Sequence, residues 1–129
     1  RMTAMSAEAE APGASASAPS ARYRRAGAFV FVAGTGARGG GDIRAQTRAT
    51  IEELRAILEE AGGGLENMVE VTTYLVNMGD FAGYNDVYST YFSPDGPART
   101  TVAVHRLARP DQLIAIRGTA YITESAAAP

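Results

Sequence analysis

The chain has 129 residues, of which 46% are hydrophobic and 20% charged, with a formal net charge of −2. That balance fits one globular domain with a modest core, and its slight acidity gives no general attraction to nucleic acid or to an anionic membrane surface. With no cysteine and one histidine, disulfides, thiolate chemistry and a His/Cys metal cluster are excluded, so no metal is expected.

Residues 1–21, mostly Ala, Ser, Pro and Glu without periodicity, are expected to form a flexible tail. Residues 22–123 make the domain, and 124–129 a second tail. No stretch approaches the roughly 18 apolar residues of a membrane span, and no apolar signal core is evident near the start. The expected location is cytoplasmic.

Tyr23 to Arg25 predicts a short strand, Ala26-Gly27-Ala28 a tight turn, and Phe29 to Ala33 a second strand. Gly34-Thr35-Gly36 and Gly39-Gly40-Gly41 follow, but their spacing fits neither a dinucleotide fingerprint nor a P-loop. Gly34 suits close backbone approach to a ligand, with its N–H as donor. Asp42 is an N-cap for a helix from Ile43 to about Ala61, with Ile43, Thr47, Ile51, Leu54, Ile57, Leu58 and Ala61 on the apolar face. Arg48–Glu52 and Arg55–Glu59 are spaced i, i+4 on the wet face, and Gly62-Gly63-Gly64 ends the helix.

Met68 to Val76 predicts a third strand, with Val69, Val71, Thr73 and Leu75 on one face. Asp80 opens a helix from Phe81 to about Phe92, whose Phe81, Tyr84, Asn85, Tyr88 and Phe92 form an aromatic stripe of core type. Asn85 within that stripe must be bonded; it either ties down a backbone loop or faces a ligand. Pro94-Asp95-Gly96 is a turn, and Pro97 to Val104 reads as a buried strand. Alternation puts Arg99, Thr101, Ala103 and His105 on one face of it. Arg99 either clamps a carboxylate with its planar fork or pairs with an acidic neighbour. His105 reads as a surface or interface residue, because no Ser stands in a nucleophile-elbow context. After a turn at Arg109-Pro110-Asp111, Leu113 to Ile122 is the last strand, with Ala115, Arg117 and Thr119 on one face. Two helices among five strands make a two-layer α+β domain with a mixed sheet.

Five motifs in this order resemble the RidA/YjgF/UK114 family: Phe31-Val32-Ala33-Gly34-Thr35, Ala45-Gln46-Thr47-Arg48, Val69 to Leu75, Asp80-Phe81 with Tyr84 to Tyr88, and Pro97 to Val102. Asp42 to Arg48, Thr73 to Met78 and Arg99 to His105 look most like its 2-aminomuconate deaminase branch. The resemblance implies a chorismate-mutase-like fold, a homotrimer with sites between subunits, and hydrolysis of enamines or imines to keto acids and ammonia without cofactor. It implies that Arg99 binds the substrate carboxylate, that Gly34 and Thr35 hold substrate, that Tyr23 and Asn85 line the pocket, and that Thr101 forms its floor. Many family deaminases carry Glu in the last strand to orient water, where this chain has Ala115. Arg117, on the same strand face, is a candidate second cation for a dicarboxylate. Two alternatives remain: a related reaction in a biosynthetic pathway, or carboxylate binding without catalysis.

Overall fold

A computed structural model describes residues 19–123. The expected tail over 124–129 and all but the last three residues of that over 1–21 lie outside the described residues.

The strands are β1 (Tyr23–Ala26), β2 (Phe29–Thr35), β3 (Met68–Leu75), β4 (Ala98–Ala103) and β5 (Ile114–Tyr121), with helices α1 (Ile43–Glu60) and α2 (Phe81–Tyr91). They form one sheet in the order β1-β2-β5-β3-β4. β1 and β2 are a hairpin in which Ala26 faces Phe29, and Gly27 supplies the positive φ (62°) that a two-residue turn requires. β5 is antiparallel to both β2 and β3, while β3 and β4 run parallel. β2 and β3 therefore share a direction, and α1 and α2 are the crossovers that parallel strands need. This is the mixed, two-layer α+β architecture expected.

Both helices cover one face of the sheet. Ile51, Leu54, Ile57 and Leu58 of α1 meet Val30, Val32, Val71, Leu75, Ile114 and Ile116 in a closed core. Asp42 caps α1, its carboxylate accepting from the Ala45 N–H at 2.9 Å. The i, i+4 pairs do not form: the Arg55 Nε turns back to Glu52 at 3.1 Å, and the Tyr91 hydroxyl donates to the same carboxylate at 2.9 Å. Asp80 occupies the N-cap position of α2 without a capping bond, because a preceding 3₁₀ turn, tied by Gly79 N–H to Asn77 Oδ1, already orients the entry.

Two bulges interrupt the alternation. One extra residue between Val32 and Thr35 leaves Ala33 and Gly34 without register partners on β5. A second irregularity at Val69 turns that side chain outward, 47% exposed, rather than onto the core face with Val71. Gly118 makes this crossing possible, since a Cβ there would stand 2.5 Å from the Glu70 carbonyl oxygen.

The expectation of a buried β4 is corrected. It is an edge strand paired only with β3; Thr101 is half-buried and its other residues are exposed. Strand alternation reports which residues share a face and not how many neighbours the strand has.

Candidate functional site

On β4, Arg99, Thr101 and Ala103 stand opposite Val71, Thr73 and Leu75, so they point to the face that the helices cover. There α2 presents its aromatic stripe. The Arg99 guanidinium carbon lies 4.4 Å from the Tyr88 ring centroid, 5.5 Å from that of Tyr84 and 5.7 Å from that of Phe81. Its Nη1 donates to the Tyr84 hydroxyl at 3.4 Å. That hydroxyl is itself held, 2.7 Å from Thr73 Oγ1 and 3.5 Å from Thr101 Oγ1. Among the described residues no carboxylate pairs with Arg99. Of the two readings open for it, the internal ion pair is thus absent. The cation lies among these rings, and apart from the bond to Tyr84 its N–H donors have no partner among the described residues, which leaves a fork that a carboxylate can use.

Tyr88 lies beneath this cation. Burial, followed by the neighbouring Tyr84, pushes its phenol up to about 12 against the opposing pull of Arg99. Its hydroxyl is buried without a hydrogen-bond partner among the described residues, and with the phenol pushed up in this way Tyr88 is neutral at ordinary pH. Asn85 is half-buried on the same helix, and its side-chain amide bonds to nothing among the described residues; only its carbonyl is used, accepting from Ser89 Oγ at 2.8 Å. It does not tie down a loop.

The other expected pocket residues lie elsewhere. Tyr23 pairs with Val32 and rests on the core. Gly34 sits in the β2 bulge facing open space, and the Thr35 hydroxyl, 8% exposed, turns back to the Ala33 carbonyl at 2.9 Å. Gly34 and Thr35 border a groove of about 820 Å³ shared with Arg22, Arg38 and Glu53. β2 and β4 are separated by β5 and β3, a distance of about 14 Å at normal strand spacing. Within the chain, therefore, Arg99 and Thr101 on β4 lie apart from Gly34 and Thr35 on β2 and from Tyr23 on β1. Arg117 belongs to neither group. It stands across from Thr72 on the open face of the sheet, 3.3 Å from a Glu70 carboxylate oxygen that also accepts from Thr119 Oγ1 at 2.6 Å. Ala115 is on the same open face, opposite Tyr74.

A family model described as Endoribonuclease L-PSP matches residues 10–122. The chain belongs to the Endoribonuclease L-PSP family, also called RidA/YjgF/UK114. A RutC family protein of Pyrococcus abyssi is 46% identical over 110 residues, 80% of this chain and 86% of that one. The 3-aminoacrylate deaminase RutC of Acinetobacter baylyi is 39% identical over 82 residues, 64% of each chain. Among solved structures, a YjgF/YER057c/UK114 family member from Mycobacterium tuberculosis superposes with a TM-score of 0.74 at 32% identity, covering 78% of this chain and 85% of its own. A putative endoribonuclease from Thermotoga maritima gives 0.77 at 34% identity, covering 84% and 91%. The fold of the family is thus the fold found here.

Sequence reasoning placed Arg99 on the correct strand face but missed what holds it. Tyr84 and Tyr88 read as ordinary core. The usable signal was an unpaired-looking Arg on the strand directly after an aromatic helix stripe. A second missed residue is Gln46, 3% exposed on α1. Its Nε2 donates to the Gly41 and Asp111 carbonyls at 3.0 and 2.9 Å, and its Oε1 accepts from the Leu113 N–H at 2.9 Å. It fastens α1 to the loops at Gly41 and at Asp111 to Leu113.

Proposed function

We propose that the chain is an enamine/imine deaminase acting on a small unsaturated amino carboxylate, as a homotrimer in which one half-site (Arg99, Thr101 and Asn85) meets the other (Gly34, Thr35 and Tyr23) across subunit boundaries. The observation that carries this is Arg99: a guanidinium stacked on aromatic rings, without an internal carboxylate, at an open sheet edge. A relative named 3-aminoacrylate deaminase supports the reaction class, and the separation of Arg99 from Gly34 supports a shared site.

In this reading Arg99 clamps the carboxylate through two charge-assisted hydrogen bonds. The enamine takes a proton on carbon, loses one from nitrogen and becomes an imine. Water then adds to the imine carbon, forming a C–O bond; two protons pass to nitrogen, the C–N bond breaks, and ammonia and the keto acid leave. Fixing the substrate beside a held water supplies most of the acceleration. Ala115 has no acid–base group, so proton transfers run through water. A dicarboxylate of the 2-aminomuconate type would need a second cation, and within a protomer Arg117 is turned to Glu70 on the opposite face. The reading therefore favours a single anchored carboxylate.

Generating 2-aminoacrylate in situ and measuring ammonia release above the spontaneous rate tests the proposal. Release that Arg99→Ala abolishes supports it. Because of Ala115, a second reading has the cleft bind small carboxylates without hydrolysis; undiminished pyruvate binding with no ammonia release would favour that one.

A further inference from the structure

Beside Arg99 lies a cleft of about 660 Å³ lined by Tyr88, Ser89, Phe92, Ser93, Pro94 and Pro97, a size typical of small-molecule sites. Among the described residues Arg99 is the one charged residue in that lining. α2 ends at Tyr91, and Phe92 leaves it in extended conformation (φ −128°, ψ 137°), with its ring centroid 4.6 Å from that of Tyr88. Gly96 N–H closes the following turn on the Ser93 carbonyl at 2.9 Å, and the rings of Pro94 and Pro97 fix φ on either side of it. The Ser89 hydroxyl is already committed as donor to the Asn85 carbonyl.

We infer that this cleft is the side-chain subsite of the proposed deaminase, and that it selects 2-imino acids with a large uncharged, preferably aromatic, side chain. The inference rests on the reading of Arg99 as carboxylate anchor. In a 2-imino acid the carboxylate and the side chain leave the same carbon, the one that water attacks. Once the Arg99 fork holds the carboxylate, the side chain is directed along Tyr88 and Phe92 toward Pro94 and Pro97. A phenyl ring there would lie against the rings of Phe92, Pro94 and Pro97. A second carboxylate would be desolvated with no cation to meet it. A three-carbon substrate would leave the subsite to water.

The test uses imines made in situ by an amino-acid oxidase from phenylalanine, leucine, alanine and glutamate, with keto acid formation read above the spontaneous rate. The expected kcat/KM for the phenylalanine-derived imine exceeds that for the alanine-derived and glutamate-derived ones by about tenfold or more, since even one methylene in an apolar pocket discriminates on that scale. Phe92→Ala should collapse the advantage. Phe92 also rests on the core, so a second variant guards the test: Ser93→Arg, at an exposed turn residue, should raise the glutamate-derived imine several-fold relative to the phenylalanine-derived one. Equal kcat/KM for the alanine and phenylalanine imines, or ratios unmoved by both variants, would overturn the subsite and leave the deaminase reading standing. If no imine is hydrolysed but phenylpyruvate binds at least tenfold tighter than pyruvate, the subsite stands and the deaminase reading falls. Equal binding of the two keto acids with no hydrolysis defeats both.

Discussion

Three aromatic rings gather around the Arg99 cation: Tyr88, Tyr84 and Phe81. They limit its rotamers before any ligand arrives, and N–H donors remain to recognise an anion. Lysine cannot reproduce this, because an ammonium offers no planar fork. Arg99→Lys should therefore raise KM about 10- to 100-fold, the loss of one charged hydrogen bond worth roughly 1.5–3 kcal/mol, with a smaller change in kcat; steady-state kinetics with 2-aminoacrylate would show the split. Tyr88 allows a prediction about pH. Its phenol ionises near 10 in the unfolded chain and at about 12 in the fold. The unfolded state therefore loses the proton first, and stability present below pH 10 is lost as pH rises toward 12. Tyr88→Phe should flatten that decline in denaturation midpoint; an unchanged slope would mean that the phenol is not buried as described. The sequence announced Arg99 through strand alternation. It could not announce the stacking, because a helix stripe reveals its periodicity and not the side chain that lies on it.

The elements hold these residues through a few connections rather than through propensity. Gln46 is the clearest: three hydrogen bonds join α1 to the loops at Gly41 and at Asp111 to Leu113. Gln46→Leu keeps the volume and strands three backbone groups, each costing about 1–3 kcal/mol if left buried and unmade. The expected loss of several kcal/mol is measurable by urea unfolding. Gln46→Glu, which retains the acceptor for Leu113, should lose less. Gly118 sets the second constraint. A methyl there meets the Glu70 carbonyl oxygen, backbone that cannot rotate aside, so Gly118→Ala should destabilise by about 1–3 kcal/mol and loosen the β3–β5 register. Both helices were legible from their 3.6-residue spacing and from Asp42. The bulges and the edge position of β4 were not, since each depends on partner strands distant in the chain. For the same reason the apolar run from Thr100 to Val104 reads as buried while Val102 is 37% exposed.

At the scale of the molecule, the sheet keeps one face uncovered by helices, and that face is not dressed for water. Phe29, Phe31 and Tyr121 are 46%, 44% and 48% exposed, and they form a continuous ring cluster with Phe29 centroids 6.4 Å from Phe31 and 5.2 Å from Tyr121. Apolar surface gathered in this way ordinarily marks an interface. The proposed trimer gives it a use. Covering the open faces would bring protomer edges together, and only then could the Arg99 half-site of one copy meet the Gly34 half-site of another. Assembly and activity should therefore fail together. Phe31→Arg places a charge in the ring cluster while its neighbours Val30 and Val32 keep the core intact, so far-UV circular dichroism should remain native. Sedimentation should move from trimer to monomer, and imine hydrolysis should drop to the spontaneous rate. A Phe31→Arg protein that sediments as a monomer yet retains full hydrolysis would show that one protomer suffices, and the division of the site between β4 and β2 would lose its meaning.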